Sequence, residues 1–142
     1  MDPEYSWIYA NTETHAPIIS LKSLKRVDMW DFRLGLYYRG KAIGTGRFEF
    51  YNKTKKWLHT ESVRLNKGFR RKGHGIHLYI ALIECARSLG AKRLYSSSNL
   101  NRYSSRMWET KLERYGIAVN HFGGCRRPCR HCRKRARHYI EL

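Results

Sequence analysis

Acid is what this chain has least of. Asp and Glu number 11 against 29 Lys and Arg, which leaves a formal net charge of +18. No acidic cluster stands out along the sequence, so a pocket built for a polyamine is not indicated. An excess of one sign repels itself and is kept where something attracts polyanions, which makes nucleic acid, DNA or tRNA, the leading class of partner. Long apolar runs are also missing. None approaches the ~20 residues that would span a bilayer, and the opening MDPEYSWIYANTETH has acids and polar residues where a secretory leader has a basic start and an apolar centre. The expectation is a cytoplasmic protein with no membrane partner, whose thiols stay reduced. Internal repeats are absent, and nothing in the sequence specifies an oligomeric state.

What is there suits one packed domain over residues 1–142. Apolar residues make up 42% and aromatics 13% of the chain, and 142 residues divided in two would leave neither half a proper core. The stretch DFRLGLYYRGKAIGTGRFEFYNKTKKWLHTESVRL reads as three antiparallel strands, near 31–38, 42–51 and 57–65, with turns at Arg39–Lys41 and Asn52–Lys56. From Ile76 to Leu89 the period changes to that of a helix, with Leu78, Leu82, Cys85, Ala86 and Leu89 on a wide apolar face and Gly90 as its stop. A short strand (AKRLYSSS) follows. Next comes a second helix (SSRMWETKLERYG), capped by Ser104 or Ser105 and closed by Gly116, then final strands in IAVNHF and RHYIEL. Near the start, Tyr5–Ala10 suggests a strand and Ile18–Val27 gives weak helical signals.

Between the third strand and the long helix lies GFRRKGHGIH, residues 68–77. It is neither of two familiar phosphate loops: the Gly-x4-Gly-Lys-Ser/Thr spacing is missing, and Leu78 stands where a dinucleotide fingerprint needs its third glycine. A glycine-rich strand-to-helix junction is still an anion site, because free backbone N–H groups and the positive end of the helix dipole converge there.

The stretch VRLNKGFRRKGHGIHLYIALIECARSLGAKRLYSSSN, with its Arg-x-x-Gly-x-Gly loop, resembles the central motif of the GNAT N-acetyltransferase superfamily, and NRYSSRMWETKLERYGIAV resembles that family's next motif. The likeness is good over 57–122, fair over 31–56 and poor over the first 30 residues. It implies a mixed α+β fold, with a splayed, mostly antiparallel sheet of six to seven strands flanked by helices. It also implies an acyl-CoA cofactor, usually acetyl-CoA. By resemblance, the pyrophosphate would sit on the backbone amides of Arg70 to Gly75, His74 included. Arg70, Arg71 and Lys72 would add counter-charge, and Gly73 and Gly75 access. The backbone of Val63 and Leu65 would hold the pantetheine arm, with Asn99 or Asn101 and Ser105 facing it. The Leu65 amide would stabilise the thioester oxyanion. Glu61 and His59, four and six residues before Leu65, occupy offsets at which relatives carry their base; counted with period two, all three share a strand face. Relatives' usual acidic Tyr is replaced by Trp108, which leaves Tyr103 or Tyr115 as substitutes, or departure of the thiolate through water.

HFGGCRRPCRHCRKRARHYIEL departs from the family by a basic insertion at 123–136 between the last two strands. Cys125, Cys129 and Cys132, with His138 or His121 as a fourth ligand in preference to His131, have spacings compatible with a zinc knuckle; free thiols on a basic hairpin are the plainer alternative. Seven Lys and Arg between Arg126 and Arg137 would recruit a polyanion. The functional expectation is direct acyl transfer to an amine carried by nucleic acid, on an aminoacyl-tRNA or on a DNA or RNA base. The alternatives are transfer to a protein lysine or small amine, and an inactive GNAT-like nucleic-acid-binding or inhibitor protein, which Trp108 would favour.

Overall fold

The alternating stretch folds as the meander its pattern predicts. A computed structural model describes residues 2–11, 29–51, 56–97, 101–121 and 138–142. Strands β1 (Tyr5–Asn11), β2 (Met29–Tyr38), β3 (Lys41–Tyr51) and β4 (Trp57–Leu65) pair in antiparallel succession. The β2–β3 turn is only two residues, Arg39 (φ +49°) and Gly40 (φ +79°), so Lys41 belongs to the strand and not to the turn.

Helix α1 (Gly75–Ser88) then crosses to β5 (Arg93–Tyr95), which runs parallel to β4. The second helix, α2, is α-helical over Arg102–Arg106, widens to a π turn over Met107–Lys111 and closes over Leu112–Arg114. Strands β6 (Asn120–His121) and β7 (His138–Glu141) complete a seven-stranded sheet ordered β1-β2-β3-β4-β5-β7-β6. Among the described residues of the predicted strand at IAVNHF, only Asn120 and His121 are in a strand, because its start is used to end α2. Gly116 (φ +88°) donates to Glu113 O and Ile117 to Leu112 O, a pattern that satisfies the last carbonyls of a helix. The helical signals at Ile18–Val27 and the 123–136 insertion lie outside the described residues.

The core sits between α1 and one face of the sheet. Leu78, Ala81, Leu82, Cys85 and Ala86 of α1 are fully buried with Leu34, Leu36, Phe48, Leu58 and Leu94 from the strands. Each large side chain so buried contributes about 1.5–3 kcal/mol. Gly46 permits the close approach, since a Cβ there would stand 3.2 Å from Leu82 Cδ2. Strand β1 ties to the same helix. The Trp7 indole N–H donates to Glu84 at 2.8 Å, the Tyr5 hydroxyl and His74 Nδ1 share a 2.7 Å hydrogen bond, and the Tyr5 ring stacks on His77 at 3.8 Å.

Two irregularities shape the far side of β4. Arg47 pairs with Ser62 and Phe48 with Thr60, so Glu61 is an extra, bulged residue. The bulge resets the strand's parity. Val63 and Leu65 oppose Gly46 and Gly44, whose missing side chains face α1, whereas Glu61 and its neighbour Ser62 are both exposed. The period-two count that placed Leu65, Glu61 and His59 on one face is therefore corrected: Glu61 and His59 lie on the face opposite Leu65. The second irregularity is a gap. β4 pairs with β5 only from Trp57 to His59, and among the described residues Thr60 to Leu65 have no strand on that edge.

Candidate active site

The loop between β4 and α1 gathers backbone N–H groups. After a 3-10 turn at Lys67–Phe69, Arg71 takes φ +59° and Gly73 φ +86° before α1 begins at Gly75. Left-handed residues set among extended and right-handed ones make a concavity lined with N–H groups, and the first turn of α1 adds its own. Arg71 adopts this conformation despite its side chain, a strain of about 1–3 kcal/mol that marks functional loops. Its guanidinium donates to the Tyr103 hydroxyl at 2.5 Å and lies 5.6 Å from the ring centroid. Arg70 folds back, its Nε donating to the Leu65 carbonyl at 3.0 Å, which fastens the loop to the strand. Arg71, Gly73, Arg102, Tyr103, Arg106 and Lys111 together line a basic hollow of about 520 Å³.

From this hollow a cleft of about 760 Å³ runs into the gap beside β4, walled by Val63, Leu65 and Gly75 on one side and by Tyr103, Met107 and Tyr115 on the other. Gly75 marks a narrow point, where a Cβ would come within 3.4 Å of Met107 Cε. Of the other residues expected at the site, Arg70, Arg71, Gly73 and Asn101 also line the cleft. Lys72 is exposed outside it. The His74 ring is buried against Tyr5, so only its backbone faces the loop. Asn99 falls outside the described residues.

Two sequence assignments on α2 change, the cap and the serine that lines the cleft. The cap is Asn101, whose Oδ1 accepts from Tyr103 N at 3.0 Å and Ser104 N at 2.9 Å, while Ser104 Oγ accepts from Asn101 N. This reciprocal cap occupies the Asn101 side-chain oxygen. Ser104, not Ser105, lines the cleft, because the cap starts the helix earlier than Ser104 or Ser105 would. Trp108 is wholly buried, stacked on His138 at 6.2 Å and edge-on to Tyr79 at 5.7 Å. It is a core residue and does not obstruct the cleft.

On the opposite sheet face, around the bulge, three of the chain's 11 acids converge. Arg47 lies 2.6 Å from Asp31 and 3.1 Å from Glu61, and Glu49 stands beside Glu61 across the strand pair. A hydrogen bond with Glu49, then partial burial and the nearby Glu49 charge, raise the Glu61 pKa to about 7 against the opposing pull of Arg47. Strand pairing has thus built an acidic cluster that the linear sequence conceals, contrary to the expectation of none. His59 stacks flat on Tyr95 at 4.8 Å, one step along β4.

Cys125, Cys129 and Cys132 lie outside the described residues, and no metal-ligand cluster occurs among the described ones. His138 is buried in β7.

The acetyltransferase (GNAT) family model matches residues 3–112, more than three quarters of the chain. This chain belongs to the acetyltransferase (GNAT) family. The match begins well inside the first 30 residues, where the resemblance had been weakest, and stops before Gly116. No curated protein sequence matches. In fold, this GNAT chain is similar to a GNAT family acetyltransferase from Elizabethkingia anophelis with acetyl-CoA bound (TM-score 0.53, 13% identity, 99% of both chains). It is likewise similar to an IAA acetyltransferase from Bacillus cereus (TM-score 0.58, 14% identity, 97% of this chain and 99% of that one). A Bacillus subtilis acetyltransferase in complex with CoA gives TM-score 0.55 at 13% identity, over 97% of this chain and 99% of that one. Among the described residues no helix is long and apolar enough to cross a membrane.

Proposed function

We propose that the chain transfers an acyl group, ordinarily acetyl, from acyl-CoA directly to an amine carried by a nucleic acid, such as the α-amine of an aminoacyl-tRNA or a base amine in DNA or RNA. Acyl-CoA is a substrate here, and its thioester supplies an activated acyl group. The residues fit it. Open space at Gly73, where a Cβ would meet nothing within 4 Å, leaves the loop amides accessible to a pyrophosphate. Arg71, Arg102, Arg106 and Lys111 offer counter-charge at the nucleotide end, and the backbone of Val63 and Leu65 borders the gap for the arm. The Leu65 amide is the oxyanion donor in this reading.

The observation that carries the proposal is the acidic cluster on a strongly basic chain. An ammonium entering beside Glu61 is attracted by Glu49, since Arg47 already pairs with the buried Asp31, and can lose its proton to Glu61, whose pKa near 7 is suited to that exchange at neutral pH. The remaining surface, at a net charge of +18, attracts phosphates. A nucleic-acid-borne amine answers both: cationic at its tip and polyanionic behind. A base amine within a duplex would in addition have to be extruded. The same acids support a second reading, a protein lysine or free polyamine. Labelled acetyl-CoA offered to tRNA, DNA, protein and polyamine separately tests the choice, with label in tRNA or DNA expected and label confined to protein or polyamine overturning it.

A further inference from the structure

Breaking the thioester leaves a thiolate, and the usual proton donor position is filled by Trp108, buried where it cannot reach the cleft. The hydroxyl- and ammonium-bearing residues that line the cleft are Tyr79, Tyr103, Ser104, Tyr115 and Lys111, and the Ser104 hydroxyl is taken up by the Asn101 cap. Tyr103 is held against Arg71 at the phosphate end, and Tyr115 and Lys111 are exposed on the outer half of α2. Tyr79 differs from all three. It lies four residues after Gly75, one turn of α1 deeper and on the same helix face, so an arm leaving the phosphate loop along the cleft passes it next. It is 95% buried and yet part of the cleft wall. Its ring meets Trp108 edge-on, with an interplanar angle of 88°. The Trp108 indole N–H is buried without a hydrogen-bond partner among the described residues.

From this the geometry points to Tyr79 as the catalytic acid that protonates the departing CoA sulfur, with Trp108 as the positioning residue behind it. The assignment rests on the proposed use of the cleft by acyl-CoA. The amine nitrogen forms its bond to the acyl carbon and gives one proton to Glu61. The carbon–sulfur bond breaks with its electron pair going to sulfur, and the Tyr79 hydroxyl proton follows it. The ammonium proton passes through Glu61 to solvent before attack; the second proton, taken up by Glu61 during attack, is matched through solvent by the one that Tyr79 gives to sulfur, so the neutral amine and thioester become amide and CoA thiol with no further proton gained or lost. Burial suits the role: it pushes the free Tyr79 hydroxyl up to about 12, so it stays protonated, while the nearby Trp108 N–H, unpartnered in the resting protein, pulls in the other direction and is available to the oxygen once its proton is given up.

The test needs no acceptor. CoA is bound to the full chain and its thiol is titrated by thiolate absorbance, with the complex of desulfo-CoA subtracted to remove the protein's cysteines and tyrosines. Binding of both ligands is measured by calorimetry. In Tyr79→Phe the bound thiol should titrate about one pH unit or more higher than in the wild type, since a hydrogen bond to the thiolate is lost. CoA affinity at pH 6, where the thiol is protonated, should be unchanged. Trp108→Phe, which keeps an aromatic ring but loses the indole N–H, should move the thiol in the same direction by less. Equal thiol titrations in the wild type and Tyr79→Phe would overturn the assignment. Absence of CoA binding to the wild type would instead overturn the cleft's proposed ligand. Should Tyr79→Phe fail to fold, Trp108→Phe carries the comparison, and an unmoved thiol there overturns the pairing.

Discussion

Glu61 lies 3.1 Å from Arg47, yet its proton is governed by Glu49. An adjacent guanidinium alone would hold a carboxyl below its ordinary range. Here the bulge at Glu61 brings it against a second carboxyl, and the pKa goes up to about 7. As the base, Glu61 must be ionised, so acyl transfer should rise with pH through about 7 and level off above. Glu49→Gln removes the carboxyl partner and should move that limb to lower pH, leaving the plateau within about threefold. A pH–rate profile checks this, and an unmoved limb would show that Glu49 does not control the proton.

The same shift has a consequence for folding. A carboxyl whose pKa is raised in the folded state stabilises the fold most below its unfolded pKa, near 4.5, and that contribution is lost as pH rises through about 7. Glu61→Gln mimics the protonated form. Its stability relative to the wild type should therefore increase between pH 5 and 8, read from urea midpoints, while transfer at neutral pH falls by about 100-fold. A parallel pH dependence in both proteins would place the raised pKa elsewhere.

Arg71 combines strain with charge, and the two separate by substitution. Arg71→Gly relieves the left-handed backbone and removes the guanidinium. Acetyl-CoA affinity should weaken by about 10-fold or more, the effect of losing one charge-assisted contact, while thermal stability holds or rises slightly. Calorimetry and a melting curve read the two effects. Unchanged affinity would remove Arg71 from the phosphate site.

Packing gives a prediction independent of function. Gly46→Ala forces a methyl to 3.2 Å from Leu82 Cδ2 and should cost about 1–3 kcal/mol. Leu82→Ala empties the same contact and should cost about 2–5 kcal/mol. Because the two residues touch, the double variant should cost less than the sum, as measured by denaturant unfolding.

Much of this was legible in the sequence, for reasons tied to period. The meander's alternation, the apolar face of α1 and the glycines at Gly73 and Gly90 are local signals, and they gave elements within one or two residues of those observed. Asn101 was missed as the cap because Ser104 competes for the same pattern, when in fact the two residues cap reciprocally. The parity of β4 was misread because one bulged residue reverses every side chain beyond it, and no composition cue marks Glu61 as that residue. The acidic cluster was invisible for a deeper reason. Asp31, Glu49 and Glu61 are spread over 30 residues, and only the β2–β3–β4 register joins them. Tyr79 carries a signal of its own, its position one helical turn after Gly75.

The most direct test of the central claim is calorimetric titration of the full chain with acetyl-CoA, followed by transfer of labelled acetyl onto separate tRNA, DNA, protein and polyamine fractions. The account predicts saturable binding at one site per chain, and label in a nucleic-acid fraction that falls steeply with added salt. No heat with acetyl-CoA or any other acyl-CoA would contradict it.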